Sequence, residues 1–277
     1  MRLTSPNEVR GLLAQLNFKP SRILGQNFLI DGNILDILLG LADLKPTDQA
    51  LEIGPGLGVL TGPLLERVGR LVAIEKDDVL HEHLVRSLGE RPNFTLLHAD
   101  AMQVDLAGLL AGGINKVVAN LPYSVGSRLL IELALAEARP ERMVVTVQRE
   151  VADRMVAKPG SHDFGVLSVF LQLDYEVFLR KKVSRNCFFP PPQVESALVE
   201  LRRRPARVAD LQSGSTFREV VKTCFSHRRK QLGAILRNPA AVQQAGLDPM
   251  QRPETLGVAE WIRLANAITE GQRDKGT

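Results

Sequence analysis

Five short apolar runs recur along the first half of the chain, at Ala50–Ile53, Leu71–Glu75, Phe94–His98, Lys116–Ala119 and Met143–Val147. Between them lie segments whose apolar positions repeat at helical period, such as Asn33–Ala42, Val79–Leu88 and Ser127–Ala138. Apolar strands alternating with helices predict a parallel sheet covered on both faces, because such strands have no side to give to water. Later, Tyr175–Leu179 and Ala197–Leu201 read as strands joined by a loop holding Pro190, Pro191 and Pro192, which suits an antiparallel hairpin at one sheet edge. Beyond Arg204 the strand signal stops, and Phe217–Phe225, Arg228–Arg237, Pro239–Ala245 and Val258–Thr269 predict helices. The expected fold is α/β: a Rossmann-like, mostly parallel sheet with an antiparallel edge hairpin in residues 1–204, then a small all-helical domain in 205–277. The stretch Pro205–Ser215 is the expected boundary.

With 277 residues, 44% hydrophobic and 24% charged, the chain has the length and composition of one large globular domain plus a small one. No run of about 18 apolar residues occurs, and the start has no apolar core behind a basic end. A cytoplasmic protein without a membrane partner is expected. Two cysteines, Cys187 and Cys224, without a CxxC spacing or a Cys/His set, argue against a disulfide framework and against a metal. Charge is unevenly spread: residues 201–237 hold ten Lys/Arg against two Asp/Glu, whereas residues 1–200 hold 21 against 24. Such a division is expected where one part of a molecule faces a polyanion, although a solvated helix face carries the same signal.

The first strand runs into Leu51-Glu52-Ile53-Gly54-Pro55-Gly56-Leu57-Gly58. Glycines at alternate positions let the backbone turn tightly and approach a ligand without a Cβ in the way. A dinucleotide fingerprint would place its third glycine at position 59, which is Val. The Gly54-x-Gly56-x-Gly58 spacing after Glu52 instead resembles the methyltransferase variety of the fold. The next strand ends in Glu75, 21 residues after Gly54, where a carboxylate can accept two hydrogen bonds from a ribose diol. The third ends in Asp100, which can accept from an adenine amino group. Either acid alone would more often be a cap or a loop residue; three successive strand ends with matching chemistry point to a nucleoside site.

The fourth strand ends in Asn120-Leu121-Pro122-Tyr123. An adenine amine is a poor nucleophile because its lone pair is delocalised into the ring. The Asn120 amide oxygen and a carbonyl near Leu121 can accept its two N–H groups and favour a pyramidal nitrogen. Pro122 stiffens the turn. Tyr123 offers a flat face to an extruded base, and a later aromatic can close the other side.

These blocks resemble the ribosomal RNA adenine dimethylase family, and within it the small-subunit branch. The resemblance extends through Gly25-Gln26-Asn27-Phe28-Leu29, Asp100-Ala101-Met102, Gln148-Arg149-Glu150-Val151 and Phe164-Gly165-x-Leu167-Ser168-Val169. It continues in Phe188-x-Pro190-Pro191-Pro192-x-Val194-Glu195-Ser196-Ala197 and Phe225-Ser226-His227-Arg228-Arg229-Lys230. It implies a class I methyltransferase sheet and S-adenosylmethionine as cofactor. Asn27 and Leu29 would contact its methionine end, Gly54 and Gly56 would lie beneath it, Glu75 would hold the ribose, Asp100 the adenine, and Asn120 would stand at the reaction centre. Phe188 matches the family's second stacking aromatic. The implied substrate is two adjacent adenosines in a terminal hairpin of small-subunit RNA, each dimethylated, in an assembling particle met by a monomer.

The basic segment supplies the expected RNA contacts in two clusters: Arg202, Arg203 and Arg204 with Arg207, then Arg228, Arg229 and Lys230 with Arg237. On a helix Arg228 and Lys230 would not share a face. The chain departs from its relatives at Ser124-Val125-Gly126-Ser127, Phe164 and Glu195. None of these removes a proposed catalytic group, while Ser124 and Gly126 bear on how the base is seated. A large-subunit RNA methylase would share fold and chemistry, and an assembly factor for which binding outweighs methylation would share the surface.

Overall fold

The structure, a computed structural model, describes residues 5–21 and 25–273 of the chain. In chain order the elements begin with α1 (Pro6–Gln15), β1 (Phe28–Leu29), α2 (Gly32–Ala42), β2 (Gln49–Ile53), α3 (Thr61–Leu65), β3 (Arg70–Glu75) and α4 (Asp78–Leu88). They continue with β4 (Phe94–His98), α5 (Leu106–Ala111), β5 (Lys116–Asn120), α6 (Gly126–Leu135), β6 (Arg142–Gln148), α7 (Arg149–Val156) and α8 (Val166–Asp174). The last are β7 (Tyr175–Val183), β8 (Phe188–Phe189), β9 (Ser196–Arg203), α9 (Gly214–Ser226), α10 (Leu232–Leu236), α11 (Pro239–Gln244) and α12 (Val258–Arg273).

Helix starts follow the capping chemistry of the sequence. Ser5 and Glu8 form a reciprocal capping box on α1, Asp31 accepts the Ile34 N–H at 3.0 Å to start α2, and Asp77 caps α4. No helix among the described residues is long and apolar enough to cross a membrane.

The chain divides into two compact units, Met1–Ala152 with Glu176–Arg203, and Asp153–Tyr175 with Arg204–Thr277. The first holds a seven-stranded sheet in the order β4-β3-β2-β5-β6-β9-β7. Pairs β2–β3, β3–β4, β2–β5 and β5–β6 are parallel, and β9 runs antiparallel to β6 from Arg142↔Arg202 to Gln148↔Ser196. This is the mostly parallel sheet with an antiparallel edge that the pattern predicts; the later strand β9 lies inside and β7 forms the edge. Strand order reverses between β2 and β5, and such a switch point leaves a crevice beyond the carboxyl ends of the strands.

One face of the sheet is covered by α2 and α3. Leu35, Leu38 and Leu64 bury against Val118, Val144 and Leu198. Burying each leucine contributes about 1.5–3 kcal/mol by area. A two-stranded ribbon of β1 and β8, with Phe28 opposite Phe189 and Leu29 opposite Phe188, ties the segment after α1 to the proline-rich loop.

In the second unit α9 buries Phe217, Val220, Val221 and Cys224, and α12 buries Trp261, Ile262, Leu264 and Ala265. The Phe225 and Trp261 ring centroids lie 5.5 Å apart. This unit resumes at Arg204, next to the expected boundary, but it also takes residues 153–175, which the sequence reading places in the first domain. The physical reason is α8: it buries Val169, Phe170, Leu171 and Leu173, and the Phe170 ring lies 6.1 Å from that of Phe217.

A second difference concerns the helix expected over Arg228–Arg237, which begins only at Leu232. The Leu232 and Gly233 N–H groups donate to the Gln251 and Pro249 carbonyls at 2.9 Å each, and residues 227–230 form turns.

Leu35 is 1% exposed at the centre of the first core. Leu35→Ala is expected to cost about 2–5 kcal/mol of unfolding free energy, the range for an emptied leucine site, whereas Val85→Ala, on an exposed position, changes it by about 0.5 kcal/mol or less. Urea denaturation followed by circular dichroism checks both.

Candidate active site

The loop after β2 is built on left-handed glycines. Gly54 and Gly56 have φ of +70° and +59°. A Cβ on Gly56 would stand 3.0 Å from the Phe28 ring, and one on Gly54 would stand 3.4 Å from Pro122 Cγ. Both positions therefore favour glycine for conformation, and Gly56 also for the close approach of Phe28 in β1. The loop opens on a cleft beyond the strand ends.

Eight of the expected residues line it: Asn27, Leu29, Gly54, Gly56, Glu75, Asp100, Asn120 and Pro122. They come from five segments of the chain, brought together because β2, β3, β4 and β5 all end at one edge of the sheet.

Glu75 is 6% exposed. Its Oε2 accepts the Gly56 N–H at 3.0 Å, and its Oε1 accepts the N–H groups of Lys76 and Asp77 at 2.9 Å each. A carboxylate has about four acceptor positions, so about one remains open toward the cleft. Glu75 also shapes the loop. Burial pushes its carboxyl above the ordinary value despite these three bonds.

Asp100 lies at the edge of the cleft, with Oδ1 accepting from Met102 N–H and Oδ2 from Lys76 Nζ, each at 2.9 Å. The Lys76 bond holds its carboxyl below the ordinary value.

Asn120 is the most informative side chain. Its Nδ2 donates to the Asn27 carbonyl at 2.9 Å, which orients the amide, and its Oδ1 is buried without a hydrogen-bond partner. A buried acceptor left open costs about 1–3 kcal/mol in a protein interior, so a donor belongs there.

Three expected catalytic residues stand off the cleft wall. Leu121 is buried at 1% exposure, and its N–H donates to the Thr146 carbonyl. The Tyr123 hydroxyl is hydrogen-bonded to Ser196 Oγ. Phe188, expected as a stacking face, is 2% exposed inside the cluster of Leu29, Leu35 and Leu38. Its pairing with Leu29 places it in the core.

Glu52 was not singled out as a site residue, although an acid directly before a glycine loop is its visible signal. It is 2% exposed, lines the cleft, and its Oε2 has no hydrogen-bond partner. Burial pushes its carboxyl up to about 8, opposed by the nearby Thr61 hydroxyl and helped by the Glu75 charge.

The basic clusters fare unequally. In the first unit Arg202 donates to Glu200 at 2.6 Å and Arg203 to the Arg139 carbonyl at 2.7 Å. In the second, Arg204 N–H donates to the Asp174 carbonyl, and Arg207 pairs with the Asp174 carboxylate at 2.7 Å. Arg228 lies 3.8 Å from Glu254 and donates to the Ser161 carbonyl. Arg229 and Lys230 are exposed on the turn after α9. Arg218 and Lys222, four residues apart on the exposed side of α9, are further cations that were counted in the charge balance but not assigned.

The sheet order, the glycine loop and the acids at successive strand ends define a class I methyltransferase. The chain belongs to the ribosomal RNA adenine dimethylase family, whose family model matches residues 17–270. A ribosomal RNA small subunit methyltransferase A of Opitutus terrae is 43% identical, over 94% of this chain and 97% of that one. A protein of the same description from Clostridium perfringens is 37% identical, over 94% and 95%. Among solved structures, a dimethyladenosine transferase from Plasmodium falciparum superposes with a TM-score of 0.77 at 22% identity, covering 88% of this chain and 98% of that one. The 23S rRNA methyltransferase ErmE gives 0.64 at 26% identity, covering 88% and 100%.

Glu52 generates a pH prediction for the ligand-free protein. Its folded-state pKa of about 8 lies above the ordinary 4.5, so between these values the native state holds a proton that the unfolded chain has released. Stability from this group is full below about 4.5 and is lost as pH rises through about 8. Glu52→Gln is expected to flatten the fall in melting temperature across that window, with melting curves at a series of pH values as the check.

Proposed function

We propose that this methyltransferase uses S-adenosylmethionine to dimethylate the N6 amines of two adjacent adenosines in a terminal hairpin of small-subunit (16S) ribosomal RNA, within an assembling particle. The observation that carries the reading is the buried, unpartnered Oδ1 of Asn120. It lies among the cleft residues, beside a proline turn, where an amine with two N–H groups finds an acceptor. The curated relatives at 37–43% identity over nearly the full chain support the small-subunit RNA over the large-subunit one.

The cleft suits the cofactor. Glycines in the left-handed region leave backbone open to a ligand, Glu75 keeps one acceptor position for the ribose, and Asp100 keeps acceptors for the adenine amine. Glu52, buried with an open Oε2, suits the ammonium of an amino-acid moiety, which would lower its pKa again. S-adenosylmethionine supplies the methyl group on a sulfonium.

The protein's own contribution is placement. Asn27 fixes the Asn120 amide through its carbonyl, so Oδ1 accepts an N–H of the target and draws the nitrogen away from planarity. That bond strengthens as the lone pair localises, so it favours the transition state over the ground state. Pro122, packed against Gly54, holds the turn rigid. Tyr123, with its hydroxyl fixed by Ser196, lies next in the chain to carry a base face.

Small ribosomal subunits lacking the modification, incubated with labelled cofactor and mapped by nucleotide, test the substrate. Dimethyl marks confined to two adjacent adenosines of the terminal hairpin are expected; marks on large-subunit RNA instead would overturn it. Asn120→Ala is expected to lower the single-turnover rate by about 100-fold or more while changing cofactor affinity far less. A near-normal rate in that variant removes Asn120 from the reaction centre.

RNA attraction belongs to the cations left open to solvent. Arg229→Glu with Lys230→Glu is expected to weaken particle binding and to reduce the slope of log affinity against log salt by about one for each phosphate no longer neutralised. Arg228 serves less well as a probe, because its reversal would also disturb the contacts with Ser161 and Glu254. Binding measured across a salt series decides, and equal affinities with equal slopes would assign these cations to solubility alone.

A further inference from the structure

Lys76 follows Glu75 at the carboxyl end of β3 and is the one Lys or Arg among the described residues that line the cleft. A free cation is an odd feature for the wall of a site that takes a positively charged sulfonium. Its charge is spoken for: Nζ donates to Asp100 Oδ2 at 2.9 Å, across 24 residues of sequence and from one strand end to the next. The other carboxylate oxygen of Asp100 accepts the Met102 N–H at 2.9 Å. Asp100 is therefore gripped at both oxygens, once by main chain and once by a side chain. Two of its roughly four acceptor positions stay open to a ligand donor.

The pair is not a fold stabiliser. The Lys76 and Asp100 side chains are 57% and 27% exposed, and ion pairs so placed contribute little to folding. Its place at the cleft gives it a different use. We infer that Lys76 is a positioning residue for cofactor recognition. By holding Oδ2 it fixes the plane of the Asp100 carboxylate, so that the open acceptor positions are presented to the adenine amine of the cofactor, while its alkyl stem lines the same end of the cleft. This rests on the reading of Asp100 as the adenine acceptor. The contrary arrangement, in which Lys76 competes with the cofactor for Asp100, predicts the opposite sign of effect.

Calorimetry with S-adenosylhomocysteine on the full-length protein tests the inference. This probe lacks the sulfonium charge, so removing a nearby cation does not by itself change the attraction. Lys76→Met keeps the stem and loses the grip; it is expected to weaken binding about fivefold or more at low salt. The gap should narrow at high salt, which screens an exposed pair in the wild type too. Lys76→Arg, which keeps the charge, is expected to restore most of the affinity.

In an Asp100→Asn background Lys76→Met should change nothing further, because its effect passes through the carboxylate. Unchanged or tighter binding by Lys76→Met in the wild-type background, or additive losses in the double variant, overturns the inference. If Asp100→Asn is weakened and Lys76→Met is not, Lys76 alone is removed and Asp100 stands. If Asp100→Asn binds like wild type, the adenine reading of Asp100 falls and the Lys76 inference falls with it.

Discussion

The hydrogen bond from the Gly56 N–H to Glu75 Oε2 is the contact on which the site depends. It ties the tip of the glycine loop, which follows β2, to the end of β3. The same carboxylate takes the Lys76 and Asp77 N–H groups and so shapes the start of the next turn. Asp77 then caps α4 and accepts from Gln26, which brings the segment before β1 to the same place. A buried acid is costly to ionise in such surroundings, and three backbone donors aimed at it are what offset that cost. Glu75 is thus part of the scaffold as well as the proposed ribose acceptor, and substituting it would perturb both together.

The proposed reaction centre depends on a second long-range contact of the same kind. The Asn120 amide, at the end of β5, is oriented by the carbonyl of Asn27, 93 residues earlier. Asn27 is itself placed by the β1–β8 ribbon that begins at the next residue, and its amide donates to the Gly25 carbonyl. An acceptor whose direction is set in advance needs no reorganisation when charge shifts on the target nitrogen, which is the condition under which a single hydrogen bond has a large effect on rate.

Sheet and site edge were legible because their causes are local. Apolar runs such as Val117–Ala119 and Val144–Val145 have no polar face and must lie inside a parallel sheet, and acids at their ends fall at one edge by topology alone. What could not be read depends on pairings distant in sequence. β1 and β8 are two residues each, too short for a period, and their pairing sends Phe188 into the core although motif position suggests a stacking face. The helix expected at Arg228 fails for the same kind of reason: the N–H groups of Leu232 and Gly233 bond to residues 251 and 249, beyond any local window. Glu52 was visible as an acid, but its importance lies in burial and an open Oε2, which no sequence pattern states.

Charge is distributed unevenly between the cleft and the basic segment. The cleft wall carries Glu75, Asp77 and Asp100 against Lys76, which Asp100 neutralises, while Glu52 holds its proton up to about pH 8 in the ligand-free protein. Such a wall attracts a cationic sulfonium and ammonium, and it repels phosphate. Several arginines of the basic segment are meanwhile held by internal partners: Arg202 by Glu200, and Arg207 by Asp174. Cations used this way shape their own unit and contribute little attraction to a polyanion. The cations of the basic segment left facing water are Arg218, Lys222, Arg229 and Lys230, within α9 and the turn that follows it, and Arg237 at the end of α10. On the proposed function, an anionic RNA and a cationic cofactor would meet attraction on different elements of the chain, so neither would have to displace the other's counter-charges to bind.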